Sequence, residues 1–217
     1  MMSLPYFAYY VLLLIATVIV ISPARRDRRL WPFFAVLASS LTEELIFEAI
    51  FLYTGHKYFL IYHIYAPVYY SLFAWYFFLV LPVGKIRNLI PYSIGFYIGG
   101  AIAAYFNGGK NFLFPGLEID ILGFLLIPLC LLSLYTLNVT DLSPIHSRPV
   151  FWISVATFIF YTSDFVVIGL KSYLGNYNDV RANTLARTLN FANNYLYYLL
   201  IIIGMICSRP ARKSSQP

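Results

Sequence analysis

The stretch WPFFAVLASSLTEELIFEAIFLY, Trp31 to Tyr53, reads as a membrane span that carries three carboxylates, Glu43, Glu44 and Glu48. An ionised side chain at bilayer depth costs roughly 2.5–3.5 kcal/mol on insertion scales, so intramembrane acids face a protein interior or a wet cavity and mark function. Ser40, Glu44 and Glu48 follow one another at steps of four, which sets them on one helical stripe, and Ser39 and Glu43 form the stripe beside it. Two faces of this helix are therefore unsuited to lipid.

The rest of the chain has the same character. Of 217 residues 60% are hydrophobic and 11% charged, too little charge to solvate a soluble domain of this length. The fold class expected is all-α: a polytopic membrane protein with seven transmembrane helices in one bundle. A bilayer core of roughly 30 Å needs about 20 apolar residues at 1.5 Å each. Such runs occur at Pro5 to Ile21, Trp31 to Tyr53, Tyr58 to Val83, Leu89 to Phe106, Ile119 to Leu137, Val150 to Leu170 and Thr188 to Cys207. Pro67 and Pro128 fall inside the third and fifth runs, where they predict kinks and not breaks. The first run has neither the basic start nor the small-residue cleavage site of a secretory signal and is expected to be retained. Residues 1–207 are expected to form one transmembrane domain, followed by a short basic cytoplasmic tail, 208–217, too small to house a catalytic output.

Charge sets the orientation. With the N-terminus outside, the cytoplasmic loops and tail hold ten of the fifteen Lys and Arg: Arg25, Arg26, Arg28, Arg29, Lys85, Arg87, Arg148, Arg209, Arg212 and Lys213. The positive-inside rule then predicts an N-out, C-in protein of the plasma (cytoplasmic) membrane, an inner membrane in a two-membrane cell. The net charge of +6 serves topology and attraction to anionic lipid, and no nucleic-acid partner is implied. Cys130 and Cys207 lie in different spans and read as core residues, with no disulfide framework. Asn138-Val139-Thr140, a match to a glycosylation acceptor, falls on the cytoplasmic side and reads as chance. The longest connections, Asn107 to Glu118 and Lys171 to Arg187, lie on the outer side, where such loops can cover a site.

Other spans carry polar stripes of their own. His63 precedes Pro67 by four residues, so its carbonyl lacks an intrahelical donor. Thr157, Tyr161 and Asp164 share one face of the sixth span; Asn190, Asn193, Asn194 and Tyr197 share one face of the seventh. Counted from the outer end, Glu48, His63, Asp164 and Asn190 to Asn194 lie within roughly 3–9 Å of the boundary and Glu44 at about 13 Å. A common layer predicts a common pocket. The candidate ligand-binding residues are Glu44, Glu48, His63, Tyr161, Asp164, Asn190 and Asn194. The competing structural reading makes each a helix-joining hydrogen bond worth about 0.6 kcal/mol on average in membranes.

The sign of the cluster narrows its ligand. Four acids face one histidine, and no Lys or Arg falls within the seven runs. The carboxyls must be partly protonated, share protons or meet a cation. A proton, an amine or a hydrogen-bond-donating headgroup fits; a phosphate or carboxylate does not. Twenty Tyr and nineteen Phe, with Tyr62, Tyr65, Tyr69 and Tyr70 around His63, offer aromatic faces to a cation. No cofactor is implied: Thr188 to Cys207 has no lysine for a retinal Schiff base, and His56, His63 and His146 have no metal-ligand spacing. In the fourth run Gly95, Gly99 and Ala103, with Gly100 and Ala104 alongside, predict close helix packing.

Two resemblances add expectations. Glu43-Glu44-Leu45-Ile46-Phe47-Glu48 with Phe59 to His63 as F-x-x-x-H is similar to the EExxxR and FxxxH motifs of the glutamate-dependent intramembrane proteases of the CAAX-protease family, Glu48 standing where that family has Arg. It implies Glu43 as a catalytic base and His63 as its partner. Tyr62-His63-Ile64-Tyr65-Ala66-Pro67, Phe151-Trp152-Ile153 and Asn193-Asn194-Tyr195-Leu196-Tyr197-Tyr198 resemble small bacterial seven-helix proteins similar to the membrane input regions of sensor kinases. That likeness implies a receptor-like module. The expected function is sensory: an acidic, Tyr-rich, outward-facing pocket takes a proton or small cationic or polar ligand and signals through a separate protein. The alternatives are a small proton-coupled transporter and, third, an intramembrane hydrolase.

Overall fold

A computed structural model describes residues 4–55, 60–107, 116–140, 144–175 and 180–208. Among the described residues there are seven α-helices and no strand: α1 (Leu4–Arg26), α2 (Trp31–Thr54), α3 (Leu60–Val80), α4 (Lys85–Asn107), α5 (Gly116–Thr140), α6 (Pro149–Gly175) and α7 (Val180–Cys207). Four of them, α1, α5, α6 and α7, are long and apolar enough to cross a membrane. Large apolar side chains such as Leu52, Phe96, Phe106 and Tyr135 are more than two-thirds exposed. A surface of that kind suits association with a lipid bilayer.

Local sequence explains where the helices stop. Pro32 occupies the first turn of α2, where its missing N–H breaks no bond. Gly55 ends α2 with φ 72°, left-handed backbone that suits glycine, and returns its N–H to Phe51 O. Between α1 and α2 the Asp27 side chain accepts from the Arg29 N–H at 3.0 Å and caps a single 3-10 turn. Pro67 and Pro128 lie inside continuous α3 and α5. Most helices outrun the apolar runs that announce them. Helix α7 begins eight residues before Thr188, because backbone hydrogen bonding continues where side chains turn polar. The connections expected at Asn107 to Glu118 and Lys171 to Arg187 are correspondingly shorter: α5 already includes Glu118, α6 reaches Gly175, and only 108–115 and 176–179 lie outside the described residues. Asn138 to Thr140 is the last turn of α5. His56 and the tail beyond residue 208 also lie outside the described residues.

Six helices pack as a ring in the order α1, α2, α3, α5, α6, α7, with α7 returning to α1. Helix α4 stands outside, against α3, burying Ile90, Tyr97 and Ala101. That stripe turns Gly95, Gly99 and Gly100 away: a Cβ at any of them meets no atom within 4 Å. The close packing expected along these glycines is therefore absent among the described residues. It occurs at Gly204, where a Cβ would lie 2.2 Å from Trp152 Cβ, and at Gly123, 3.1 Å from Tyr161 Cδ1. Of the cysteines, Cys130 is buried, whereas Cys207 is exposed at the end of α7.

The dense core fills one half of the bundle. Phe33 and Leu37 of α2, Tyr76 and Phe77 of α3, Ile201 and Met205 of α7 are almost wholly buried. Phe33 and Tyr76 rings lie 5.7 Å apart there. Toward the other end the apolar packing gives way to polar groups, and Glu43 is the last buried residue of α2.

Candidate functional site

Helix α2 brings its acids into the bundle by continuing its own buried stripe. Phe33, Val36, Leu37, Ser40 and Glu43 recur at three- and four-residue steps, so Glu43 points where the core residues point. It lies within electrostatic reach of Tyr62 and Tyr69 on α3 and Tyr198 on α7. Glu44, one position on, turns toward α1. There Tyr9 donates its hydroxyl to Glu44 Oε1 at 2.9 Å, and Tyr10 donates to Oε2 at 3.4 Å. The Tyr9 ring lies 5.7 Å from that of Tyr198 on α7. Glu48 stands half-buried, within reach of Glu44 and Tyr10. Three helices, α1, α3 and α7, thus bring phenols around the acids of α2, and α1 supplies the two that donate to Glu44.

His63 belongs to a second centre. Its Nδ1 is 2.8 Å from Glu118 Oε1, both side chains being largely shielded. Tyr97 of α4 donates to the Glu118 carbonyl at 2.9 Å and ties the first turn of α5 to α4. Glu118 Oε2 is buried with no hydrogen-bond partner among the described residues.

Tyr161 is buried on α6, within electrostatic reach of Tyr69, Tyr97 and Asp164. Asp164 is half-buried. The asparagines divide. Asn190 is exposed, and Asn194 donates to the Asn190 carbonyl of its own helix at 2.8 Å. Asn193 is the buried member and donates to Phe160 O on α6 at 2.9 Å.

Three further features depart from the reading of the sequence. The apolar helix from Thr184 contains Arg187, whose guanidinium lies over the rings of Tyr6 and Phe191, 5.2 and 5.9 Å from their centroids. The acids thus share their end of the bundle with a fixed cation, which the narrower run from Thr188 left out. Glu118 was placed in a connection because the apolar run starts at Ile119; its position at the edge of that run was the available signal. Tyr9 and Tyr10 were passed over because tyrosines near a span end ordinarily form an interfacial belt. The depth count applied to the acids puts Tyr9 about 8 Å into α1, near the level of Glu48.

Comparison with family models, with curated proteins and with solved structures finds no match to this chain.

Proposed function

We propose that this protein is a seven-helix, N-out membrane receptor whose acidic, Tyr-rich centre takes up a proton or a small cationic ligand and passes the change to a separate signalling protein. The observation that carries the reading is the Tyr9 to Glu44 hydrogen bond at 2.9 Å beside buried Glu43. Two adjacent carboxyls are held among phenols in the half of the bundle where the apolar core has ended. Phenol donors stabilise a carboxylate, aromatic faces accept a cation, and a proton or ammonium relieves the repulsion between neighbouring acids. Helices α2, α3 and α4 count as spans in this reading. They have 24, 21 and 23 residues, enough for about 31–36 Å at 1.5 Å per residue, and α2 and α3 complete a ring with the four apolar helices. The glutamates of α2 and the tyrosines and His63 of α3 lower the hydropathy of those two helices.

A proton-coupled transporter is the second reading, favoured by the shielded His63–Glu118 contact, a second acid–base pair within the bundle. The hydrolase reading requires Glu43 and His63 to share a water; the partner the geometry supplies to His63 is Glu118.

Infrared difference spectra of the protein in vesicles, on a pH step and on addition of a small amine, test the proposal. Wild type is expected to show a carboxyl band and tyrosine bands that respond, and Glu44→Gln to lose them. A silent carboxyl region in wild type overturns it. Uptake of protons by sealed vesicles under a gradient decides for the transporter.

A further inference from the structure

We propose that the cleft between the α3–α4 turn and the C-terminal half of α5 binds the phosphodiester of an anionic membrane phospholipid. The cleft lies at the end of the bundle opposite the acidic centre and holds about 160 Å³; Leu81, Pro82, Lys85, Arg87, Leu132 and Thr136 are among its walls. At roughly 30 Å³ per water molecule that is about five water volumes, room for a phosphate with its flanking glycerol carbons.

Its chemistry is two cations over an apolar floor. Lys85 is exposed, and Arg87, also in the lining, is half-buried with its guanidinium 4.5 Å from the Phe78 ring centroid. No carboxylate is among the described residues that line it. That absence matters, since a carboxylate is what would hold the ammonium of a zwitterionic headgroup. The apolar walls suit the carbons esterified to phosphorus, so a lipid diester fits better than inorganic phosphate.

The depth is right as well. Trp31 and Trp75 and Tyr135, all at this end of the bundle, are 42%, 52% and 72% exposed. Exposed tryptophans and tyrosines mark the headgroup level of a bilayer. The same end carries Arg25, Arg26, Arg28 and Arg29 at the α1–α2 corner and Arg148 at the start of α6. Basic pockets between helices at such a level hold acidic headgroups, each Lys or Arg contributing several-fold in affinity.

The test is native mass spectrometry of the full chain released from micelles containing either phosphatidylglycerol or phosphatidylcholine. Wild type is expected to retain phosphatidylglycerol about tenfold or more over Lys85→Gln/Arg87→Gln, the two charges each supplying a several-fold share. Lys85→Arg/Arg87→Lys should restore it. Thr136→Trp should lower retention by filling the cleft while leaving every charge in place. Arg25→Gln/Arg26→Gln should leave retention unchanged, which separates the cleft from diffuse attraction. Circular dichroism melting of each variant checks that it is folded. Equal retention of both lipids, equal retention by the charge-neutralised variant, loss in Arg25→Gln/Arg26→Gln, or displacement by millimolar inorganic phosphate overturns the proposal.

Discussion

His63 Nδ1 lies 2.8 Å from Glu118 Oε1, a tie across 55 residues of sequence that joins α3 to α5 and leaves α4, the helix between them in the chain, on the outside. The tie has a stability consequence. Interhelical hydrogen bonds in membranes contribute up to about 1.7 kcal/mol, and this one is shielded. Glu118→Ala is expected to lower stability in detergent by about 1–2 kcal/mol. Glu118→Gln, which keeps an acceptor for His63, should recover most of it. Thermal unfolding followed by circular dichroism measures both, and a wild-type melting curve for Glu118→Ala rules the tie out as a structural element.

Glycine positions give a sharper contrast. A methyl at Gly204 would sit 2.2 Å from Trp152 Cβ and 2.5 Å from Cγ, so α6 and α7 must separate to admit it. Gly204→Ala is expected to destabilise by about 1–3 kcal/mol, the usual range for overpacking. Gly99→Ala, with nothing within 4 Å, should be neutral or slightly stabilising, because alanine favours the helix by about 1 kcal/mol. Equal effects of the two substitutions on thermal unfolding would contradict the α6–α7 packing.

The two tyrosines on Glu44 are unequal. Tyr9 donates at 2.9 Å from a buried position, whereas Tyr10 donates at 3.4 Å, near the limit of a hydrogen bond. In double-mutant cycles with Glu44→Gln, Tyr9→Phe should couple by about 0.5–1.5 kcal/mol and Tyr10→Phe by about half of that or less. Stronger coupling through Tyr10 reverses the assignment of the principal donor.

Orientation is open to direct measurement. Tyr53, at the end of α2 near the acids, is 92% exposed, and His146 is exposed at the other end of the bundle. In a Cys207→Ser background, a cysteine at Tyr53 should react with an impermeant maleimide on intact cells, and one at His146 only after the membrane is opened. The reverse pattern makes the acidic centre inward-facing.

Much of the fold was legible in one dimension. Hydropathy is a local sum over about 20 residues, so the runs around Trp31 to Tyr53 and six others announced seven helices, and each corresponds to one in the structure. Helical periodicity likewise set Glu43 and Glu44 on different faces: Glu43 continues the buried stripe of α2, whereas Glu44 accepts from Tyr9 and Tyr10 of α1. Helix ends were less legible. Side-chain polarity changes before the backbone ladder stops, so Glu118 and Arg187 were assigned to connections although both are helical.

By itself, then, the sequence determined an all-helical chain suited to lipid, because composition and period act within a single helix. Only the tertiary structure decided which polar groups meet. It closed the ring by setting α5 beside α3, paired His63 with Glu118, turned Asn193 inward while Asn190 stayed exposed, and left the glycines of α4 facing away from the bundle. The physical reason is that lipid offers little hydrophobic preference for one helix neighbour over another. Neighbours are chosen by shape and a few hydrogen bonds, such as Trp152 over Gly204 and Tyr9 on Glu44, and these join residues that no local pattern connects.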